Sequence, residues 1–348
     1  MTHRPHRPHR RIVLCEDSRT YAAALSRALR EDGDLEVVGV FSTAEEAIEA
    51  LPRLQPDLLT VDLHLPGMSG LEAVEHVMGA HPLPILVLSS HVGTDGAAAV
   101  LAAGALDALQ KQDIDLLDPL GPGAVALRRR VRVLAGARVI KHPRAQLRMP
   151  AASGGGIIRT ASAIGVISST GGPPALSTLL GALPARFRVP VLVVQHIAHG
   201  FTAGLVQWLD QTVPLPVRLV VDGQRLEPGI WVAPEGAHLT VLPGCRLALD
   251  RKTLAGPHRP SGDMLLTSLA EALGHNAAGV VLTGMGRDGA LGLGRIARSG
   301  GLTVAQDEAT SAVYGMPRAA REAGAELVLP LPDIARRLLA LRPTGETT

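Results

Sequence analysis

The chain has 348 residues, enough for two domains of ordinary size, and 46% of them are hydrophobic, so each half can bury a core. A net charge of +2 and an aromatic content of 2% argue against nucleic-acid binding, which uses basic surfaces and stacking rings. The two cysteines, Cys15 and Cys245, suit a reducing cytoplasm better than a disulfide framework. No apolar run reaches membrane-spanning length, so we expect a cytoplasmic protein without membrane insertion.

The first third of the sequence alternates short apolar runs with helical patterns of apolar residues. Strands are predicted at 11–15, 35–41, 57–62, 83–90 and 105–111. Helices are predicted at 19–30, 44–51, 71–80, 95–103 and 124–134. This alternation predicts a doubly wound α/β domain over residues 10–135, with a parallel sheet and ligands at the carboxyl ends of its strands.

Polar residues stand where several of these strands end. Glu16 and Asp17 follow the first strand, Asp62 ends the third, Ser89 lies at the end of the fourth, and Lys111 ends the fifth. Carboxylates that converge on one sheet edge repel each other unless a cation joins them, and Mg²⁺ is the hard cation that carboxylates and water bind. The alternative for Asp17 or Ser89 alone is the capping of a helix.

Four segments of this region, "VLCEDS", "LLTVDLHLPGMSGLEAV", "ILVLSS" and "AGALDALQK", resemble the receiver domain of two-component response regulators. The resemblance implies a flavodoxin-like fold in which Asp62 accepts a phosphoryl group from a histidine kinase. It also implies the ligands of the Mg²⁺ needed for phosphorylation, which are Glu16, Asp17, Asp62 and the backbone carbonyl of His64. Ser89 and Lys111 would be the switch hydroxyl and the lysine that pairs with the phosphoryl group.

Two positions depart from the receiver pattern. Ala108 stands where the family usually has an aromatic switch residue, and Gln112 stands where it usually has proline. The residues that bind Mg²⁺ and the phosphoryl group are therefore expected to work. The sequence does not decide whether phosphorylation changes the surface of the domain away from this pocket.

Residues 136–158 are basic, then glycine-rich and without a sustained period, which predicts an interdomain linker. Strand–helix alternation resumes in a second domain over residues 159–345, with strands predicted near 163–167, 189–194, 278–282 and 301–305. The shorter, turn-rich segments between 217 and 250 predict a small antiparallel insert. We therefore expect a mostly parallel α/β domain here as well.

A second serine pair, in "SSTGGPPALSTLL", follows a predicted strand and opens a helix. The helix start favours an anion, but the stretch lacks the lysine of a P-loop and the flanking glycines of a GxSxG elbow. A nucleophilic serine needs a base and a group that orients the base. Ser169, His196 and Asp288 all follow predicted strands and could form this triad; alternatively, Asp288 caps the helix after it and His196 is a satisfied loop histidine.

Residues 163–329 contain "STGGPPAL", "VVQHIAHGFT", "VDGQRLEPGIWVAP", "HRPSGDML", "GVVLTGMGRDGA" and "TVAQDEATSAVYGMPRAA". These segments resemble the catalytic domain of chemotaxis protein-glutamate methylesterases, the CheB family. The resemblance implies that Ser169 is the nucleophile, His196 the general base and acid, and Asp288 the residue that orients the imidazole. Backbone N–H groups near Thr170 and Met285 would bind the oxyanion, and ester hydrolysis would need no cofactor.

Four further positions near this site have more than one interpretation. Ile167 stands where the family normally has glycine, and a conformation barred to β-branched residues there would displace the nucleophile and lower activity. His258 and Arg259 could contact substrate, with Asp263 behind them; the alternative is a polar loop in which Asp263 caps a helix.

The sequence therefore predicts a phosphorylation-regulated hydrolase that removes methyl esters from the glutamates of chemoreceptor cytoplasmic helices and deamidates receptor glutamines. The resemblance implies that the unphosphorylated receiver covers the active site. One alternative is a receiver-controlled binding module with a degenerate esterase domain, which Ile167 would permit. A DNA-binding regulator is disfavoured because no helix-turn-helix pattern follows the linker.

Overall fold

The computed structural model describes residues 9–90, 94–139, 159–254, 256 and 258–344. The predicted linker lies largely outside these residues. The chain divides into two compact units, residues 1–141 and 142–348, each with its own sheet. None of the helices in the described ranges combines the length and the apolar character needed to cross a bilayer.

The first unit is a five-stranded parallel sheet whose strands alternate with helices. The strands are β1 (Arg10–Cys15), β2 (Leu35–Phe41), β3 (Leu58–Asp62), β4 (Ile85–Ser89) and β5 (Asp107–Gln110). The helices are α1 (Arg19–Arg30), α2 (Ala44–Leu54), α3 (Gly70–Ala80), α4 (Thr94–Ala103) and α5 (Pro122–Ala135).

The strand order of this sheet is β2-β1-β3-β4-β5, and every neighbouring pair is parallel. This order confirms the predicted flavodoxin-like fold and places the carboxyl ends of β1, β3, β4 and β5 along one edge. The helices start where the sequence supplies caps: the Ser18, Thr43 and Ser69 hydroxyls each accept a bond from a backbone N–H in the first turn.

The second unit contains a larger sheet and two small ones. Its strands are β6 (Thr160–Ala161), β7 (Ala163–Ser168), β8 (Val191–Gln195), β9 (Val217–Leu219), β10 (Ile230–Val232), β11 (His238–Leu242), β12 (Arg246–Asp250), β13 (Ala277–Val281), β14 (Leu302–Gln306), β15 (Leu327–Leu329) and β16 (Arg342–Pro343). Its helices are α6 (Gly172–Gly181), α7 (Thr202–Thr212), α8 (Gly262–Leu273), α9 (Ala290–Arg298), α10 (Met316–Glu322) and α11 (Leu331–Leu339).

The seven-stranded sheet has the order β15-β14-β13-β7-β8-β10-β9 and is parallel throughout. One apolar cluster packs α6, α7 and α11 on one face, and a second packs α8, α9 and α10 on the other. The mostly parallel α/β architecture is therefore confirmed.

The small antiparallel insert predicted between 217 and 250 is confirmed, but it does not include all the strands of that segment. Only β11 and β12 form an antiparallel hairpin, whereas β9 and β10 extend the main sheet as parallel strands. The prediction was wrong for β9 and β10 because short strands separated by turns look alike whether they form a hairpin or join a neighbouring sheet. The segment between β9 and β10 is a crossover connection, so the two strands run in the same direction.

Candidate functional site

The proposed nucleophile lies in a tight turn between β7 and α6. Ser169 is 7% exposed, and its carbonyl accepts a 2.7 Å hydrogen bond from the Gly172 N–H. Gly171 has a φ of 72°, and a Cβ at this position would lie 2.7 Å from the Cβ of Ala312. Glycine is therefore required here both by its backbone conformation and by the lack of space.

The two adjacent serines have different environments. The Ser168 side chain is fully buried and donates a 2.6 Å bond to Oε1 of Gln195. Nε2 of Gln195 donates to the carbonyls of Ser169 and His196, at 2.8 and 2.7 Å. The carboxamide thus ties the two loops that carry Ser169 and His196 together. Gln195 was not predicted as a site residue, although it stands directly before His196.

The proposed base and its orienting carboxylate are hydrogen-bonded. Nε2 of His196 lies 2.8 Å from Oδ2 of Asp288, and both side chains are largely buried. Nδ1 of His196 is buried, and within the described residues no group hydrogen-bonds to it. Since a triad histidine uses one ring nitrogen for the carboxylate and the other for the hydroxyl, Nδ1 is the nitrogen left for Ser169. Such contacts are often long in unliganded enzymes and shorten with substrate.

Asp288 is held at the N-terminus of α8. Oδ2 accepts from the Gly262 N–H at 2.5 Å as well as from His196, and Oδ1 accepts from the Ser261 hydroxyl at 2.9 Å and the Asp263 N–H at 3.0 Å. Burial by itself raises the pKa of Asp288, but the bonds from His196 and the backbone outweigh it and hold this pKa well below its usual range. The carboxylate therefore stays ionised beside the imidazole.

A buried histidine holds Ser261, one of the residues that bind the Asp288 carboxylate. His238 is fully buried; its Nδ1 accepts from the Ser261 N–H at 3.2 Å, and its Nε2 lies 3.0 Å from the Thr253 carbonyl. Nδ1 is therefore the acceptor of the ring, and Nε2 faces a carbonyl to which it can donate. Ser261 in turn caps α8 by accepting from the Met264 N–H. His238 was not predicted as a site residue, because a histidine at a strand start carries no sequence signal for this role.

Asp263 caps a helix, as one of the two interpretations of the sequence holds. Its Oδ1 accepts from the Gly292 N–H in the first turn of α9, at 2.9 Å. Burial raises the pKa of Asp263. The two carboxylates thus act reciprocally. Asp263 lies in the first turn of α8 and binds the N-terminus of α9, whereas Asp288 precedes α9 and binds the N-terminus of α8. The alternative that Asp288 caps the helix after it is wrong: Gly289 is the N-cap of α9, and the Asp288 carboxylate binds the N-terminus of α8 instead.

His258 and Arg259 occupy different surroundings. The His258 ring stacks on His196, with ring centroids 4.1 Å apart and an angle of 13° between the planes. The Arg259 guanidinium donates to the carbonyls of Arg251 and Thr253, at 3.1 and 2.9 Å, and so braces its own loop. His258 is the one of the two that contacts the proposed base.

The proposed oxyanion donors belong to segments that meet beside Ser169. The Thr170 carbonyl accepts a 2.9 Å bond from the Thr283 hydroxyl, which links the nucleophile turn to the loop after β13. A Cβ on Gly284 would lie 2.7 Å from the Cβ of Ser169. Met285 therefore follows a residue whose backbone is in direct contact with the nucleophile.

Ile167 does not have the conformation that would displace the nucleophile. It is a regular residue of β7, paired with Val281 on one side and Val194 on the other. Among the described residues that are not glycine, only Gln55 and Cys245 have positive φ. The isoleucine therefore fits the backbone at this position without strain.

The polar residues of the first unit meet at the edge of its sheet. Carboxylate oxygens of Glu16, Asp17 and Asp62 lie within 4.8 Å of one another. Lys111 places Nζ 2.5 Å from Oδ2 of Asp62 and 2.6 Å from Oε2 of Glu16. Three carboxylates at this spacing are the oxygen donors that Mg²⁺ prefers, so the residues fit this ion.

Burial and charge compete in this pocket. Burial lowers the pKa of Lys111, but its contacts with Asp62 and Glu16 outweigh this and raise it. Burial raises the pKa of Glu16, and Lys111 opposes the rise. Lys111 also lies 4.5 Å from the centre of the Tyr21 ring. The ammonium is therefore firmly charged next to the proposed phosphoacceptor.

The remaining predicted receiver positions lie on β4, on β5 and in the segments that follow β3 and β5. The His64 N–H donates to Oδ1 of Asp62 at 3.1 Å, and buried Ser89 pairs with Gln110 in the sheet, directly before Lys111. Two positions depart from the usual receiver pattern. Ala108 is buried within β5, and Gln112 donates to the side chain of Gln110.

Comparison with known proteins gives two matching families. The family described as CheB methylesterase matches residues 164–338, and the response regulator receiver domain matches residues 12–118. The chain is 42% identical to protein-glutamate methylesterase/protein-glutamine glutaminase 3 of Myxococcus xanthus, over 89% of this chain and 87% of that protein. It is 40% identical to protein-glutamate methylesterase/protein-glutamine glutaminase 2 of Anaeromyxobacter dehalogenans, over 95% of this chain and 96% of that protein.

A solved structure agrees with these matches. The crystal structure of the Thermotoga maritima CheB methylesterase catalytic domain is 36% identical to the chain and has a TM-score of 0.50. The match covers 52% of this chain and 98% of the Thermotoga maritima domain.

Proposed function

Because the chain belongs to the CheB methylesterase family and carries a response regulator receiver domain in front, we propose that it is a phosphorylation-regulated protein-glutamate methylesterase. Its substrates are methylated glutamates on the cytoplasmic helices of chemoreceptors, and receptor glutamines are a second substrate class. The observation that carries the proposal is the bond from His196 to Asp288, with the other ring nitrogen of His196 buried and unpartnered within the described residues.

The reaction begins with attack of the Ser169 hydroxyl on the γ-carbonyl carbon of the methylated glutamate. Nδ1 of His196 takes the hydroxyl proton, and Asp288 stabilises the imidazolium through Nε2. The proton then passes from His196 to the leaving methoxide, so that methanol departs and an acyl-enzyme remains. Water, deprotonated by the same nitrogen, cleaves the acyl-enzyme and restores the glutamate carboxylate. With glutamine, ammonia is the leaving group.

The negative charge that develops on the carbonyl oxygen needs donors. Backbone N–H groups of Thr170 and Met285 fill this role in the proposal, because their segments are joined beside Ser169. The N-terminus of α6, which begins at Gly172, adds a favourable dipole. Fixed donors of this kind stabilise the tetrahedral intermediate more than the substrate, which is how they accelerate acyl transfer.

Control of this activity falls to the first domain. Asp62 accepts a phosphoryl group from a histidine kinase. Glu16, Asp17, Asp62 and the carbonyl of His64 would hold Mg²⁺, which would supply positive charge next to the phosphoryl group. Lys111 and Ser89 contact the phosphoryl oxygens. The support is the cluster of carboxylates with Lys111 at bonding distance from two of them.

The proposal is tested by incubating the protein with receptor membranes that carry methyl-labelled glutamates and following the release of volatile label. Wild type is expected to release labelled methanol, and Ser169→Ala to release none above background. The matched control is Ser168→Ala, which removes only a hydroxyl that bonds Gln195 and should retain at least about a tenth of the rate, since one neutral hydrogen bond is worth about 1 kcal/mol. Equal release by wild type and Ser169→Ala would overturn the assignment of the nucleophile.

A further inference from the structure

Ile167 fills space that two glycines leave open. A Cβ built on Gly262 would lie 2.4 Å from Cγ2 of Ile167, and 3.1 and 3.2 Å from its Cγ1 and Cδ1. A Cβ on Gly289 would lie 3.2 to 3.3 Å from the same side chain. The Ile167 side chain is fully buried and packs in the apolar cluster that includes Leu265 and Leu293.

These two glycines flank the carboxylate that orients the proposed base. The Gly262 N–H donates to Oδ2 of Asp288, the oxygen that also accepts from His196. Gly289 directly follows Asp288 and, with a φ of 90°, forms the N-cap of α9. A side chain that contacts both glycines therefore determines how closely α8 and the Asp288 loop approach the end of β7.

We propose that Ile167 is a positioning residue for Asp288 and that it forms a compensated pair with Gly262. The isoleucine stands where the family normally has glycine, and the missing Cβ at Gly262 supplies the room that it needs. Its packing against Gly262 and Gly289 holds Asp288 within bonding distance of Nε2 of His196. The activity readout of this inference rests on the proposed function.

A purely structural role for Ile167 predicts something different. Loss of packing would lower the melting temperature and leave the kinetics of the folded protein unchanged. A positioning role predicts a lower kcat with little change in KM, because substrate contacts remain while the base loses its partner. It also predicts that a methyl group added at Gly262 is harmful only when Ile167 is present.

The test is a double-mutant cycle with Gly262→Ala, Ile167→Ala and the combined variant. Alanine is a better helix former than glycine, so a loss in Gly262→Ala cannot come from helix propensity. A misplaced catalytic group costs about 100-fold, so we expect about that loss in kcat for Gly262→Ala and at least a tenfold recovery in the combined variant. The control is Gly181→Ala at the end of α6, where a Cβ meets nothing within 4 Å.

A second readout does not need activity. In protein with ¹⁵N-labelled histidine, the proton that His196 donates to Asp288 should give a resonance protected from exchange with water. It should disappear in Gly262→Ala and return in the combined variant. If wild type lacks esterase activity, the proposed function fails, and this resonance still decides the role of Ile167.

Two results would overturn the inference. One is an additive cycle, in which the combined variant loses the product of the two single losses. The other is a Gly262→Ala variant that is less stable yet keeps wild-type kcat and the protected resonance. Should Gly262→Ala fail to fold, Ile167→Ala and the combined variant are compared: the added methyl should raise kcat or leave it unchanged, and a further tenfold loss would contradict the proposal.

Discussion

Replacing Asp288 by asparagine removes the charge that orients the proposed base while keeping the size of the side chain. The carboxylate accepts four hydrogen bonds, two on each oxygen. A carboxamide has one acceptor oxygen, so its NH₂ group must face one of these pairs of donors. In either orientation one backbone N–H in this partly buried site, that of Gly262 or that of Asp263, is left without an acceptor.

The cost follows from this count. An unsatisfied, partly buried N–H together with the loss of the ionised acceptor should lower the free energy of unfolding by about 3 kcal/mol. For a unit of this size that is a fall of about 6–12 °C in melting temperature. Replacing the orienting carboxylate by its amide in a serine triad costs about 10⁴-fold in kcat, and we expect a loss of this order.

The stability difference should depend on pH in a defined direction. The pKa of Asp288 is lowered in the folded protein, so the stabilisation is complete above the unfolded value of about 3.9 and is lost as the pH falls toward the folded pKa. Thermal unfolding of wild type and Asp288→Asn should therefore differ by a constant amount at pH 5 to 8 and converge under acid conditions.

The assay is steady-state demethylation together with thermal unfolding, with Asp263→Asn as the control. Asp263 is also partly buried at the start of a helix, but its carboxylate caps α9 and does not hydrogen-bond to His196. The control should lose stability and keep kcat within about tenfold of wild type, as expected for a lost cap. A kcat for Asp288→Asn within tenfold of wild type would refute this account of the triad.

Two further predictions concern His238 and Asp62. His238→Leu leaves the Ser261 N–H without its acceptor, so steady-state kinetics should show a kcat about tenfold lower with KM unchanged, the size expected for about 1.4 kcal/mol. An unchanged kcat would show that His238 does not help to position Asp288. Acetyl phosphate with Mg²⁺ should raise the demethylation rate, and Asp62→Ala should abolish the rise; a wild-type rate that does not respond would show that the changes at Ala108 and Gln112 uncouple the receiver.

The fold could be predicted from the sequence because several of its strands are apolar runs buried along their whole length. In β4, β7 and β8 every residue is buried, and each run is bounded by turns or helix starts. The register of β9 and β10 could not be predicted, because three-residue strands carry too short a pattern to show which neighbour they join.

The candidate site could be predicted only in part. Ser169, His196 and Asp288 stand directly after strands or in a glycine-rich turn, so strand ends point to them. Gln195 and His238 act through hydrogen bonds to backbone groups far away in sequence, and no spacing rule reveals such contacts. Ile167 could not be judged from its own position, because the space that it needs lies at Gly262, 95 residues further along the chain.

The most direct measurement of the central claim is the site at which a serine-reactive fluorophosphonate becomes attached. Wild-type protein is treated with the reagent, digested, and the peptide containing Ser168 and Ser169 is fragmented by mass spectrometry. The account predicts one adduct on the Ser169 oxygen, slow labelling in His196→Gln, and no labelling of this peptide in Ser169→Ala. An adduct on Ser168, or labelling of this peptide in Ser169→Ala at the wild-type rate, would contradict it.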